Sequence, residues 1–238
     1  MGDDPALMEH RPGFQSTLWT EVLQAREGTP ADRREALGRL CQAYWSPLAA
    51  WLAAKGFSRE DAQDAVQGFF AHFLEKGLMD RADPNRGRFR NYLLKSLENW
   101  LANERRKAQA EKRGGGRSPV SLDLEPAGPG IPEDAYNRSW AMTVLRKAQD
   151  LLRAEFESKG LGSHYQAICA HLSGTADRPS YEDLASRLGC TVADVGALLH
   201  GARRRLRELV RSVLRETVET DPEVDQEVND LFKFLLRK

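Results

Sequence analysis

Residues 180–215 constrain the fold most, because they encode two helices separated by a very short turn. Ser180 is followed three residues later by Asp183, and Thr191 is followed three residues later by Asp194. This spacing is typical of a capping box, in which the first side chain and the third-following acid satisfy each other's backbone N–H groups. The sequence therefore predicts a separately capped start for each helix.

The turn between these helices has the composition of a known DNA-binding motif. Gly189 fits the left-handed position that ends a helix and reverses the chain. A small residue, a glycine and a β-branched residue, spaced like Ala185, Gly189 and Val195, are typical of a helix-turn-helix, whose second helix enters the major groove of DNA. We therefore expect residues 180–215 to contain a helix-turn-helix.

The second helix is strongly two-sided. At 100° per residue, one side is apolar and consists of Val195, Leu198, Leu199, Ala202, Leu206, Leu209 and Val213. The other side begins with small residues and continues with basic ones: Ala193, Ala197, His200, Arg204, Arg207 and Arg211. Small residues allow a helix to lie deep in a major groove about 12 Å wide, and arginines then suit the phosphates.

Charge on this helix is concentrated near its end. From Arg203 to Arg215 there are six arginines and one acid, a net charge of +5. Arginine-rich faces are often merely solvated, but caps, turn spacing and one-sided charge together favour DNA binding. The residues that we expect to contact DNA are Thr191, Ala193, His200, Arg203, Arg204 and Arg207, with His200 nearer the bases.

The remaining apolar segments also have a helical period, and no alternating strand pattern appears. We therefore predict an all-α fold of two helical domains joined by a flexible Gly/Pro-rich linker. The predicted helices cover 17–26, 31–45, 47–54, 58–76, 89–113, 137–156 and 163–172, with a loop at 80–88. The predicted parts are a first domain at 14–113, the linker at 114–136, a second domain at 137–217 and an acidic tail at 218–238.

Composition excludes several classes of protein. The 238 residues contain 35 basic and 35 acidic side chains, so the charge is balanced but segregated along the chain. No run of about 18 apolar residues suggests a membrane span, and the first residues lack the order of a secretory signal. Three distant cysteines indicate neither a disulfide framework nor a zinc site. We expect a cytoplasmic protein without a catalytic constellation, a cofactor or a metal.

Two further charged segments accompany the helix-turn-helix. Residues 89–117 contain eight basic and three acidic side chains, a second basic surface with a net charge of +5. Residues 216–230 contain seven acids and no base. The tail carries a narrow apolar stripe of Val224, Val228, Leu231, Phe232 and Leu235. Two interpretations stay open: the tail shields the recognition helix, or it is a solvated helix that packs by this stripe.

Three stretches together resemble a known family. They are DAQDAVQGFFAHFLEK at 61–76, FRNYLLKSLENWLANERR at 89–106, and the predicted helix-turn-helix at 180–215. In this order around a linker they resemble the extracytoplasmic-function sigma factors of the sigma-70 family. Gly68 stands where that family usually has Glu, and Gln63 where it often has Glu. The resemblance covers most of the chain.

The resemblance implies a sigma factor that binds core RNA polymerase through its clamp helices and flap. Asp64 and Gln67 would face the clamp helices, the first domain would read and open the −10 promoter element, and the second would read the −35 element. The polymerase core would perform the chemistry. Regulation by an anti-sigma protein or a kinase is compatible with this resemblance.

Promoter opening requires a base to be unstacked, and a protein can offset that cost by capturing the base. The residues that we expect to capture it are Arg86, Arg88, Asn91 and Tyr92. Asn99 matches an asparagine of the family motif and would bind a base or a phosphate. Backbone phosphates would be held by Lys95, Arg105, Arg106 and Lys107. Phe89 and Trp100 have the spacing of core residues.

Two other classes of protein compete with this interpretation. A two-domain regulator that binds DNA without joining polymerase would explain 180–215 but not the pattern at 61–106. A protein-binding scaffold would use both basic surfaces to dock acidic partners.

Overall fold

A computed structural model of the chain describes residues 29–83, 87–113, 131–173, 177–215 and 221–236. These residues are almost entirely helical and contain no β-strand, which confirms the all-α prediction. The elements are α1 (Pro30–Ala54), α2 (Arg59–Glu75), a 3₁₀ turn (Leu78–Arg81), α3 (Phe89–Arg113), α4 (Pro132–Ser158), α5 (Gly162–Ser173), α6 (Tyr181–Leu188), α7 (Val192–Arg215) and α8 (Asp221–Leu236). The helix predicted at 17–26 and residues 114–130 of the predicted linker lie outside the described residues.

Helix α1 is continuous, so the predicted break before Pro47 is wrong. A proline inside a helix leaves one carbonyl without its partner and costs about 3 kcal/mol or more. Tyr44, Leu48 and Leu52 surround this position and are almost fully buried. Each such side chain contributes about 1.5–3 kcal/mol on burial, so packing outweighs the local defect.

Helix α2 begins where its capping residues predict. The Ser58 hydroxyl oxygen accepts a hydrogen bond from the Asp61 backbone N–H at 3.1 Å. The buried residues of this helix are Ala62, Ala65, Val66, Phe69, Phe70 and Phe73. Helix α3 begins at Phe89 and ends at Arg113 as predicted, and its apolar side packs into the same core.

The predicted loop at 80–88 begins too early. Gly77 adopts a left-handed φ of 58°, and the Asp80 N–H then donates to the Gly77 carbonyl at 3.0 Å. The first two residues of the predicted loop therefore belong to the 3₁₀ turn, which shortens the connection to α3.

Helix α4 begins at Pro132 rather than at Asn137. Proline suits the first turn of a helix, and Glu133 and Asp134 add negative charge at the positive end of the helix dipole. The resulting extra turn buries Tyr136, whose hydroxyl donates to the Arg90 backbone carbonyl at 2.9 Å.

Helix α4 is the central element of the described structure. It packs against α1 on one side and against α5, α7 and α8 on others. Buried residues from both halves of the sequence consequently form one continuous core. The division into two domains stays a prediction. Because α4 packs on α1, the two basic helices, α3 and α7, are attached to the same core. None of the described helices combines the length and apolar character needed to cross a bilayer.

Two glycines, one in the turn between α6 and α7 and one inside α7, should respond to substitution by alanine with opposite changes in stability. Gly189 has a φ of 65°, a conformation that costs a residue with a side chain about 1–2 kcal/mol. Gly196 lies inside α7, and an added Cβ there would meet no atom within 4 Å. We expect Gly189→Ala to lower the free energy of unfolding by about 1–2 kcal/mol and Gly196→Ala to raise it by about 0.5–1 kcal/mol, as measured by urea denaturation. Equal effects of the same sign would contradict this account of the turn.

Candidate nucleic-acid interface

Helices α6 and α7 each begin with the predicted capping box. The Asp183 N–H donates to Ser180 Oγ at 3.0 Å, and the Ser180 N–H donates to the Asp183 carboxylate at 3.2 Å. The Thr191 N–H donates to Asp194 at 2.9 Å, and the Asp194 N–H donates to Thr191 Oγ1 at 3.2 Å. These bonds fix where α7 begins.

The predicted motif places a small residue of the first helix and a β-branched residue of the second between the two helices, and both are buried. Ala185 is buried on α6, and Val195 is completely buried on α7. The Cys190 N–H donates to the Ala185 carbonyl at 3.1 Å, beside the left-handed Gly189. The short turn therefore holds α7 rigidly against α6, with the opposite side of α7 facing outward.

We call this opposite side the α7 outer face. Its exposed members are Ala193, Ala197, His200, Arg204 and Arg207, and Arg203 is half-buried at its edge. No other described side chain forms an ion pair or a hydrogen bond with these three arginines. The α7 outer face therefore has small side chains at its start and basic ones towards its end, and it is available to an anionic ligand.

The other arginines of α7 are used differently. Arg205 forms a forked pair with Glu155 of α4, with its Nη2 and Nε at 2.6 and 2.9 Å from the two carboxylate oxygens. Arg205 also donates to Glu208 at 2.8 Å. Arg211 pairs with Asp225 of α8. These two arginines attach α7 to its neighbours, and the arginines of the α7 outer face are Arg203, Arg204 and Arg207.

Thr191 has a capping role. Its hydroxyl donates to Asp194 at 2.6 Å, and this bond together with the Thr191 backbone N–H lowers the pKa of Asp194. A carboxylate that stays ionised keeps the cap at the positive end of α7.

The second basic surface, on α3, is mostly paired within the helix. Lys95 lies 2.8 Å from Glu98, and Lys107 lies 2.8 Å from Glu104. Arg106 donates to Asn103 at 2.7 Å. Exposed pairs of this kind contribute little to stability, so a phosphate can displace them at small cost. Asn91 and Asn99 are exposed on the same helix.

Two of the predicted first-domain residues have partners within the described structure. The Tyr92 hydroxyl donates to the Leu78 carbonyl at 2.6 Å, and its ring packs against Phe73 and Phe89. Burial also raises the pKa of Tyr92. Arg88 forms ion pairs with α8. Arg86 lies outside the described residues.

Arg105 lines a cleft of about 200 Å³ between the end of α1 and the middle of α3. Its Nε is buried and has no hydrogen-bond acceptor among the described residues. The other lining residues are Trp51, Lys55, Phe57, Glu98, Leu101 and Ala102. Arg105 is thereby separated from the exposed cations at 106 and 107.

Asp64 and Gln67 are exposed on α2, on the side away from the core. The neighbouring Gly68 packs against the Trp100 ring: a Cβ at position 68 would lie 3.2 Å from Trp100 Cη2. The ring also contacts Phe69 and His72. The absence of a glutamate at 68 thus has a steric reason in this chain.

The acidic tail does not cover the α7 outer face in the described residues. Helix α8 packs on α4 and α7 with Val224 and Leu231 fully buried, as the apolar-stripe interpretation expects. Phe232 was predicted in that stripe but is 46 % exposed. Phe234 packs instead, edge-on against Trp140. Val228 and Leu235 are partly buried against the core as predicted, so Phe232 is the member of the predicted stripe that departs from it.

Sequence reasoning missed Arg90, which is only 5 % exposed. Its guanidinium lies over the Trp140 ring at 4.1 Å and faces the Phe234 ring at 5.6 Å. Its ion-pair partner Glu227 is 2 % exposed. The available signal was Glu227 and Asp230, an acidic pair one helical turn apart beside the apolar stripe of the tail.

Comparisons with protein-family models, with curated proteins and with solved structures found no match for this chain.

The Arg205–Glu155 pair makes the stability of the chain depend on pH. Hydrogen bonds from Arg205 lower the pKa of Glu155, and partial burial opposes them more weakly. A lowered folded-state pKa contributes stability above the unfolded-state pKa, and this stability is lost as the pH falls through the folded-state value. We expect Glu155→Gln to reduce the difference in unfolding free energy between pH 7 and pH 3 by less than about 1 kcal/mol, measured by urea denaturation. Arg205→Met should reduce it similarly, and an unchanged difference in both variants would show that the pair is not formed.

Proposed function

We propose that this chain is a sigma factor of the sigma-70 type, which joins core RNA polymerase and directs it to promoters with −35 and −10 elements. Two positively charged helices on one scaffold suit contact with two segments of DNA, and the sequence resembles extracytoplasmic-function sigma factors at 61–76, 89–106 and 180–215.

The α7 outer face is the observation that carries the proposal. It presents small side chains where a helix would approach bases and unpaired arginines where phosphates would lie. Arg205 and Arg211 are tied to neighbouring helices, so the outward charge is not a general excess of arginine. We assign the −35 element to this face.

The α3 surface would contact the −10 region. Asn91 and Asn99 are exposed for contacts with bases, while Lys95, Arg106 and Lys107 can exchange weak intrahelical partners for phosphates. Tyr92 supports the fold beneath this surface through the hydrogen bond from its hydroxyl to the Leu78 carbonyl. Asp64 and Gln67, exposed on α2, would contact the polymerase core.

Reconstituted transcription tests the proposal directly. The purified chain is added to core RNA polymerase on fragmented genomic DNA, and transcript starts are mapped. We expect starts that require the chain and that share two upstream elements. Duplex binding without polymerase association would identify the competing class, a regulator that acts without joining polymerase.

The two kinds of arginine on α7 provide a matched pair of variants. Arg204→Ala with Arg207→Ala removes two unpaired cations, and each lost phosphate contact should lower the slope of log affinity against log salt by about 0.9. We expect weaker duplex binding, a slope reduced by roughly 2 and unchanged stability. Arg205→Ala removes one cation from the same helix but from the face turned towards Glu155.

The measurement is fluorescence anisotropy with a labelled duplex over a range of salt concentrations. Arg205→Ala should change the slope by much less than one. If it weakens binding as much as the Arg204 and Arg207 changes together, the α7 outer face is not the DNA-binding surface.

A further inference from the structure

A buried charge cluster joins the start of α3 to α8. Arg88 Nε lies 2.8 Å from Glu227, and Arg88 Nη1 lies 2.7 Å from Asp230. Arg90 Nη1 lies 2.9 Å from the second oxygen of Glu227 and Arg90 Nη2 lies 3.8 Å from Asp230. The partners are separated by more than a hundred residues in sequence, so these pairs are a tertiary contact. We call this cluster the Arg88–Arg90 site.

The hydrogen bonding of Arg90 within this site is incomplete. Its Nε and Nη1 donate to no acceptor among the described residues, because the close pair with Glu227 is not aligned for a hydrogen bond. A small cavity of about 10 Å³, near the size needed for one water molecule, lies at the same place. Its lining consists of Tyr44, Arg88, Phe89, Arg90, Trp140 and Glu227. The two guanidiniums therefore offer more donors than the carboxylates of α8 use.

Helix α8 cannot simply leave this site. Removing one partner from a buried pair leaves a charge without compensation, which is strongly unfavourable. A replacement anion avoids that cost. A phosphate, like a carboxylate, can accept two parallel hydrogen bonds from a guanidinium group, and it has more acceptor oxygens. Departure of Phe234 from Trp140 would at the same time uncover an aromatic surface of the kind on which an unpaired base stacks.

We propose that the Arg88–Arg90 site binds a backbone phosphate of single-stranded DNA, and that the Glu227 and Asp230 carboxylates of α8 occupy it until such a strand displaces them. This inference rests on the proposed function, in which the start of α3 meets the opened −10 region. Strand binding and docking of α8 then exclude each other. Because coupling between two binding events is reciprocal, weakening the docking of α8 strengthens strand binding.

Hydrogen exchange of the unaltered chain tests this exclusion. Amide exchange of 221–236 is measured by mass spectrometry without DNA, with a saturating single-stranded oligonucleotide and with a duplex. We expect the oligonucleotide to speed exchange in 221–236 severalfold and to leave α2 unchanged. An oligonucleotide that binds while exchange in 221–236 stays constant or slows overturns the inference, as does one that does not bind at all.

A charge-matched pair of variants gives the reciprocal measurement. Glu227→Gln with Asp230→Asn weakens the docking of α8, and Asp150→Asn with Glu157→Gln makes the same change in net charge at exposed positions of α4. We expect the α8 variant to bind the oligonucleotide about tenfold more tightly than the α4 variant, provided that circular dichroism shows both folded. Equal affinities overturn the inference.

The two proposals fail in different experiments. Loss of the α8 response with intact promoter-directed transcription removes only the role of the Arg88–Arg90 site. Failure of transcription, with displacement of α8 by a single strand retained, removes the sigma-factor assignment and leaves a single-strand site.

Discussion

The guanidinium of Arg90 is the group on which the arrangement of the described helices depends. It belongs to α3, lies over the Trp140 ring of α4 and faces the Phe234 ring and the Glu227 carboxylate of α8, so it links three helices. An unpaired charge at this depth would consume a large share of the 5–15 kcal/mol by which domains are typically stable. The positions of the three helices are thus coupled, because a movement of any one of them would expose this charge or leave it without its partner.

Charge has two distinct uses in this molecule, although its residue types do not distinguish them. Arg205 and Arg211 pair with acids on α4 and α8, where they hold helices together. Arg204 and Arg207 are separated from them by only one to a few positions but project outward without a partner in the described structure. Arg205 lies about 100° around the helix from Arg204, whereas Arg211 continues the side of Arg204 and Arg207 and differs from them by lying further along, where α8 packs. The same division separates Arg88 and Arg90 from Lys95 and Arg106 on α3.

Local signals were sufficient for much of the fold. Caps at Ser58, Ser180 and Thr191 involve residues three positions apart, so their geometry is encoded in short segments. The failures came from long-range packing. Burial of Leu48 and its neighbours overrides Pro47, and Phe234 packs against Trp140 and Arg90 whereas the predicted Phe232 is exposed. No periodicity within the tail could reveal an arginine that lies far away in sequence and meets it only after folding.

The contact between Gly68 and Trp100 has an evolutionary consequence. The indole fills the space above position 68 so closely that even a methyl group would press against it, and it is itself fixed by Phe69 and His72. A side chain introduced at 68 therefore requires the indole to shift by a few tenths of an ångström. Among descendants of this sequence, a change at one of these two sites should favour a compensating change at the other.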